Sequence, residues 1–205
     1  RRQRQMCIRD SIRGHRLPLE YFEKNETTRV SSQFEHVHQL SSGNELTILN
    51  SVSSFKRNLG TTGSNFSGTQ LSSFSEAHVL GVKDNFEWAL GLNFLTEDFD
   101  QKNRAPGFNH DLNKHTFGIF SQITRSLTDQ ISLEAGMRLD NTSLYGTLAI
   151  PHIALLYNLS DQTTFRIGGG SGYKEPTVFT EESESRQFRN ISALEYDLLR
   201  PERSS

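Results

Sequence analysis

Three things are scarce in this chain of 205 residues: cysteine, long apolar runs and net charge. Cys7 is the only cysteine, so no internal disulfide can staple the fold. From residue 8 onward no thiol occurs, which is compatible with an oxidising compartment. No stretch approaches the roughly 18 consecutive apolar residues of a membrane helix. Met6-Cys7-Ile8 is also far too short for the apolar core of a secretory signal. Lys and Arg number 22 and Asp and Glu 24, a net charge of −2, so no overall field calls for nucleic acid as a partner.

What is present looks contradictory at first. Only 34% of residues are hydrophobic, yet 10% are aromatic, including 14 Phe. A disordered chain of such low hydrophobicity would lack the aromatics. A compact soluble core would want more Leu, Ile and Val. A sheet with one greasy face and one wet face satisfies both facts. The opening RRQRQMCIRDS is a separate matter. It is basic and looks like translated library-adapter sequence, so residues 1–11 are set apart from fold reasoning. Residues 12–28 are read as a lead-in, and 29–205 as the folded part.

The period of that part is two. In ISLEAGMRLD (131–140), Ile131, Leu133, Ala135, Met137 and Leu139 share one face, and Ser132, Glu134, Gly136, Arg138 and Asp140 the other. FEWALGLNF (86–94) repeats the pattern, with Phe86, Trp88, Leu90, Leu92 and Phe94 on the greasy face. Further strands are expected near 29–40, 45–58, 69–82, 114–127, 147–159 and 162–173. The fold class is therefore all-β, an antiparallel up-and-down meander of about eight strands. Pro151, inside one strand, implies a bulge or an edge there. Connections at 41–44, 83–85, 128–130 and 160–161 are short and rich in turn formers. Those at 59–68, 100–110 and beyond 174 read as long loops, and 141–146 as a shorter one. Short turns at one end and long loops at the other is the plan of an outer-membrane β-barrel, whose strands face lipid on one side and a wet lumen on the other.

RIGGGSGYKEPT (166–177) tests a competing idea, since glycine runs can cradle phosphate. The spacing fits neither the P-loop nor the dinucleotide pattern, and Pro176 argues against a following helix. Glycine here thins a strand, permitting a bend or the close approach of other groups.

Taken in order, FGIFSQITRSLTDQISLEAGMRLDN, PHIALLYNLSDQTTFRIGGGSGYKEPTVFTEE and LLRPERSS resemble the barrel of a TonB-dependent outer-membrane receptor. The matching motifs are Arg138-Leu139-Asp140, Gly172 to Thr177, and Leu199-Arg200-Pro201-Glu202. The resemblance covers about residues 20–205. It implies energised uptake of a scarce ligand such as an iron-siderophore, haem or cobalamin in the outer membrane of a Gram-negative bacterium. The implied partners are outer-membrane lipid, the small-molecule ligand, a plug domain and the TonB energy-coupling complex; the plug and coupling regions are absent from this sequence. Such barrels have about 22 strands, so eight strands make a partial wall.

Ligand contacts are expected from outward loops at Arg104, Phe108, His110, Asp111, His115 and Lys174, since histidine and aromatics suit haem or a metal chelate and cations suit an acidic siderophore. Glu134, Arg138, Asp140 and Arg166 are expected to face the lumen. His36 and His38 share a strand face and would need a third ligand to hold a metal. No catalytic set, metal site or cofactor is assigned. The competing functions are an outer-membrane barrel enzyme, for which SFSEAH (73–78) offers serines and a histidine without a diagnostic spacing, and a soluble all-β binding module.

Overall fold

The computed structural model describes residues 22–62, 64–102, 111–160, 162–175 and 200–204. Eight strands follow in chain order: β1 (Glu23–Gln39), β2 (Glu45–Thr61), β3 (Ser64–Lys83), β4 (Phe86–Gln101), β5 (Leu112–Ser126), β6 (Ile131–Thr142), β7 (Gly146–Ser160) and β8 (Thr163–Gly170). Each is antiparallel to the next, and together they form one sheet in the order β1 to β8. β1 and β8 do not pair, so the sheet is an open wall. A separate two-stranded ribbon joins β9 (Gly172–Lys174) to β10 (Glu202–Ser204). Among the described residues there is no helix.

Register assigns every side chain to one of two faces, because partners across a ladder point the same way. Leu92, Ile119, Leu139 and Ala149 lie in one such row, and Phe94, Phe117, Asn141 and Thr147 in the next. This face is apolar and exposed: Leu90, Leu92, Phe94, Phe117, Ile119, Ile123, Met137, Leu139, Ile153 and Phe165 all stand open. The opposite face carries Asn93, Thr116, Asp140 and Thr142, all buried. A soluble sheet would reverse this assignment. Greater burial on the polar side means that the wall curls toward that side, which is called inner below, and the apolar side outer.

The strands are longer than the alternation alone indicated. β1 begins at Glu23 instead of near 29, and β4 runs to Gln101 instead of 94. Residues 59–68 are not a loop: β2 and β3 stay paired until Thr61 meets Ser64. The glycines and hydroxyls there read as turn chemistry, but Leu59 and Phe66 face each other on the inner side and hold the hairpin closed. With Phe99, Leu112 and Leu144 they form an apolar cluster at this end of the wall. The opposite end carries the connections after β1, β3, β5 and β7, including the Asp84-Asn85 turn, where Asp84 takes the left-handed φ of 52° that Asp tolerates. It is called the short-turn end below.

The glycine strand is split. β8 stays paired to β7 until Gly170 faces His152, and the chain then leaves the ladder at Ser171. The Ser171 N–H donates to the Pro151 carbonyl at 3.0 Å. Pro151 therefore turns its donor-less backbone edge toward β8 where that strand ends, and the register irregularity of β7 lies instead at Asn158/Ser160.

Candidate functional site

The inner face gathers its polar groups into three clusters. The most buried is a row in register across three strands: Asn93 on β4, Gly118 on β5 and Asp140 on β6. Asn93 is 0% and Asp140 2% exposed. A carboxylate at this depth must be satisfied by donors. Arg138 Nε donates to Asp140 Oδ1 at 2.7 Å and Oδ2 at 2.9 Å, and the Tyr173 hydroxyl donates to Oδ2 at 2.8 Å. Arg138 Nη2 also reaches Asn93 Oδ1 at 3.3 Å. Gly118 is required by this crowding, since a methyl there would sit 2.5 Å from Asp140 Oδ1 and 2.6 Å from Asn93 Oδ1. Tyr173 comes from β9, so this cluster fastens the segment after the glycine run back onto the wall.

The second cluster lies nearer the loop end. Lys114, with its side chain only 10% exposed, stands 3.0 Å from Glu97 Oε2 and 3.4 Å from Glu175 Oε2. Gln70 donates to the other Glu97 oxygen at 2.7 Å. Glu175 Oε1 and the Tyr145 hydroxyl are buried with no hydrogen-bond partner among the described residues. Tyr145 lies in the turn after β6, and burial foremost, with Glu175 adding, pushes its phenol pKa up, while Lys114 pulls the other way. A cleft of about 650 Å³ beside this turn is lined by Tyr145, Leu148, Arg200, Pro201 and Arg203.

The third cluster is wetter. Glu134 pairs with Arg166 at 3.1 Å and stands 3.6 Å from His152. On β3, Glu76 and His78 pair at 3.0 Å, with Phe120 against the imidazole. The surfaces so built are networks of paired charges suited to polar contacts.

The structure brings Arg138 and Asp140 together, and separately Glu134 and Arg166. Arg104, Phe108 and His110 lie outside the described residues. Asp111 accepts the backbone N–H of Gln101 at 2.9 Å, closing the base of the β4–β5 connection. Lys174 is exposed at the end of β9. His115 is on the outer face, beside Phe94 and opposite in direction to Lys114. His36 and His38 also lie on the outer face, rings 6.3 Å apart. Among the described residues no group of three or more His, Cys, Asp or Glu is arranged to hold a metal. Sequence reasoning missed Asn93, Gly118, Lys114, Tyr173 and Glu175 as network members. The available signal was a glycine at an inward position between polar residues on neighbouring strands.

The family model described as "TonB dependent receptor-like, beta-barrel" matches residues 9–205. Among solved structures, the siderophore receptor PirA of Pseudomonas aeruginosa superposes with a TM-score of 0.62 at 15% identity, covering 76% of this chain and 28% of that one. The alcaligin outer-membrane receptor FauA of Bordetella pertussis gives 0.64 at 14%, covering 74% and 30%. The copper transporter OprC gives 0.61 at 13%, covering 76% and 32%. This chain thus spans about a third or less of each of these proteins. At such identities the likeness speaks for the fold. A comparison with curated proteins finds no match.

Proposed function

The chain belongs to the TonB-dependent receptor β-barrel family, and from that premise we propose that it forms part of the wall of a receptor for energised uptake across the outer membrane of a Gram-negative bacterium. The cargo is a scarce, bulky ligand such as an iron-siderophore, haem or cobalamin. In the full-length chain a plug domain fills the barrel, and the TonB complex pulls on that plug. The family is one of transport receptors, and no covalent chemistry is assigned to the wall.

One observation carries this reading, the inversion of the two faces. The outer face exposes large apolar side chains, and the inner face buries polar ones such as Asn93, Thr116, Asp140 and Thr142. Lipid suits the first because the ladder groups between paired strands are satisfied within the sheet, and a wet lumen suits the second. The same inversion argues against a soluble β-module, which would bury its apolar face. Glu134, Arg138, Asp140 and Arg166 are assigned to the lumen wall. Arg104, Phe108, His110, Asp111 and Lys174 are assigned to ligand contact near the loops, whereas His115 is assigned to the membrane side. PirA is a siderophore receptor, FauA an alcaligin receptor and OprC a copper transporter; the ligand class proposed here extends theirs by analogy.

The test is uptake by the full-length receptor in a strain deleted for its own receptors, offered a panel of radio-iron siderophores, haem and labelled cobalamin. Saturable uptake of one ligand, abolished when the proton motive force is collapsed, is the expected result. Uptake indifferent to the proton motive force, or recovery of the protein in the soluble fraction, contradicts the proposal.

A further inference from the structure

We propose that the outer face near the short-turn end carries a docking patch for phospholipid headgroups, built from Lys83, Phe86, Trp88 and Arg125. The inference rests on the membrane-barrel reading above. Lys83 lies directly across from Phe86, and Phe86 across from Arg125, all on the outer face. Two inter-strand steps separate the cations, about 10 Å between their Cα atoms. Two register pairs farther from the turn, the next on this face, Trp88 lies flat over Gly81, where a methyl would overlap its indole.

These groups are available in a way that the inner-face cations are not. Lys114, Arg138 and Arg166 each meet a carboxylate. Neither Lys83 nor Arg125 has an ion-pair or side-chain hydrogen-bond partner among the described residues, and Asp84 in the adjoining turn makes no ion pair with Lys83. The Trp88 indole N–H is likewise without a partner among the described residues, although Trp placed against packed surface normally finds an acceptor. Two unpaired cations flanking a ring, with a free indole donor one step deeper, match the layers of a phospholipid. The phosphate sits between the cations, the ester oxygens come within reach of the indole, and the acyl chains pass over the apolar rows beyond. Charge at the other end of the outer face has a different character: Lys24 is paired with Glu26, Lys56 stands as a single cation with Asp100 two strands away in its row, and Asp98 adds a second carboxylate on the outer side of β4. Anionic headgroups are therefore directed to the short-turn side.

The experiment titrates the full-length receptor, purified in detergent, with phosphatidylglycerol and counts bound lipid by native mass spectrometry. The double variant Lys83→Gln/Arg125→Gln binds the tightest lipid about thirtyfold more weakly, at the contribution expected for two surface cations. Lys56→Gln, an outer-face lysine of the loop half, is unchanged, and Lys83→Arg/Arg125→Lys retains binding. Heat-modifiable migration verifies that each variant forms a closed barrel. A folded double variant that binds as tightly as wild type overturns the patch while leaving the membrane reading intact. Equal loss in Lys56→Gln also overturns it, since any cation would then serve. A receptor that fails to enter vesicles at all overturns the membrane reading and the patch with it.

Discussion

Gly118→Ala tests whether the buried row across β4, β5 and β6 is a rigid network or merely crowded. The added methyl would meet Asp140 Oδ1 at 2.5 Å and Asn93 Oδ1 at 2.6 Å. Neither side chain can swing into solvent, since both are essentially fully buried. If Asp140 moves, it loses contact with Arg138 or Tyr173. A hydrogen bond to a charged group is worth about 1.5–3 kcal/mol, and overpacking a filled site costs about 1–3 kcal/mol. Replacing a strand glycine returns about 0.5–1 kcal/mol in backbone entropy. The net expectation is a loss of about 2–4 kcal/mol. Gly136→Ala is the matched control. A methyl there would overlap the His152 imidazole, but that side chain is 40% exposed and touches Glu134 only at 3.6 Å. The ring can rotate away, and the entropy gain nearly cancels the disturbance, leaving less than about 1 kcal/mol. Urea unfolding of the full-length receptor in lipid vesicles measures both. The reasoning also requires Gly118→Ala and Asp140→Asn to be non-additive, because the first acts through the second. Equal midpoints for the two alanine variants, or strict additivity in the cycle, would refute the network account.

Three further outcomes follow from the same face. Tyr173→Phe removes one donor from a buried carboxylate and should cost about 1.5–3 kcal/mol in the same unfolding assay, an effect absent once Asp140 is already Asn. Lys114→Met should cost about 3 kcal/mol, because it strands Glu97 and Glu175 together in a mostly buried place; Glu175→Gln should cost far less, since the Glu97 pair survives. Tyr145→Phe removes a buried hydroxyl with no hydrogen-bond partner among the described residues and should be neutral or slightly stabilising. The Tyr145 phenol pKa is raised in the folded state, so its contribution is present below about pH 10, the unfolded value, and is lost as pH rises through the folded value. Urea midpoints between pH 8 and 11 should accordingly fall less steeply for the phenylalanine variant.

The fold was legible where one face of the wall is apolar and the other polar. Strands around 86–94 and 131–140 alternate cleanly because one face is lined by large apolar side chains and the other by polar ones. That signal fades where both faces are polar. β2 and β3 continue to Thr61 and from Ser64 through Gly60, Asn65, Ser67 and Gly68, residues that read as a loop. Only Leu59 and Phe66 hint at the inward packing, and two residues set no period. The break at Ser171 was illegible for another reason. β9 pairs with β10, whose partner residues lie at 202–204, and no local pattern announces a ribbon closed over such a separation.

The buried clusters illustrate what a single sequence withholds. Arg138 and Asp140 lie two apart on one strand, so their shared face could be read directly, and their bond is local. The rest of the network depends on register. Asn93, Gly118 and Asp140 fall in one row only because β4, β5 and β6 pair at that offset, and a slip of one residue would send all three to the lipid side. Apolar outer rows tolerate exchange among Leu, Ile and Phe, since these side chains stand exposed. The inner row does not, because the buried Asp140 carboxylate must keep its donors, Arg138 and Tyr173. Register in this wall is therefore specified from the polar side. The three-strand row of Asn93, Gly118 and Asp140, with Tyr173 closing it from β9, is where a slip would leave the most buried groups unsatisfied.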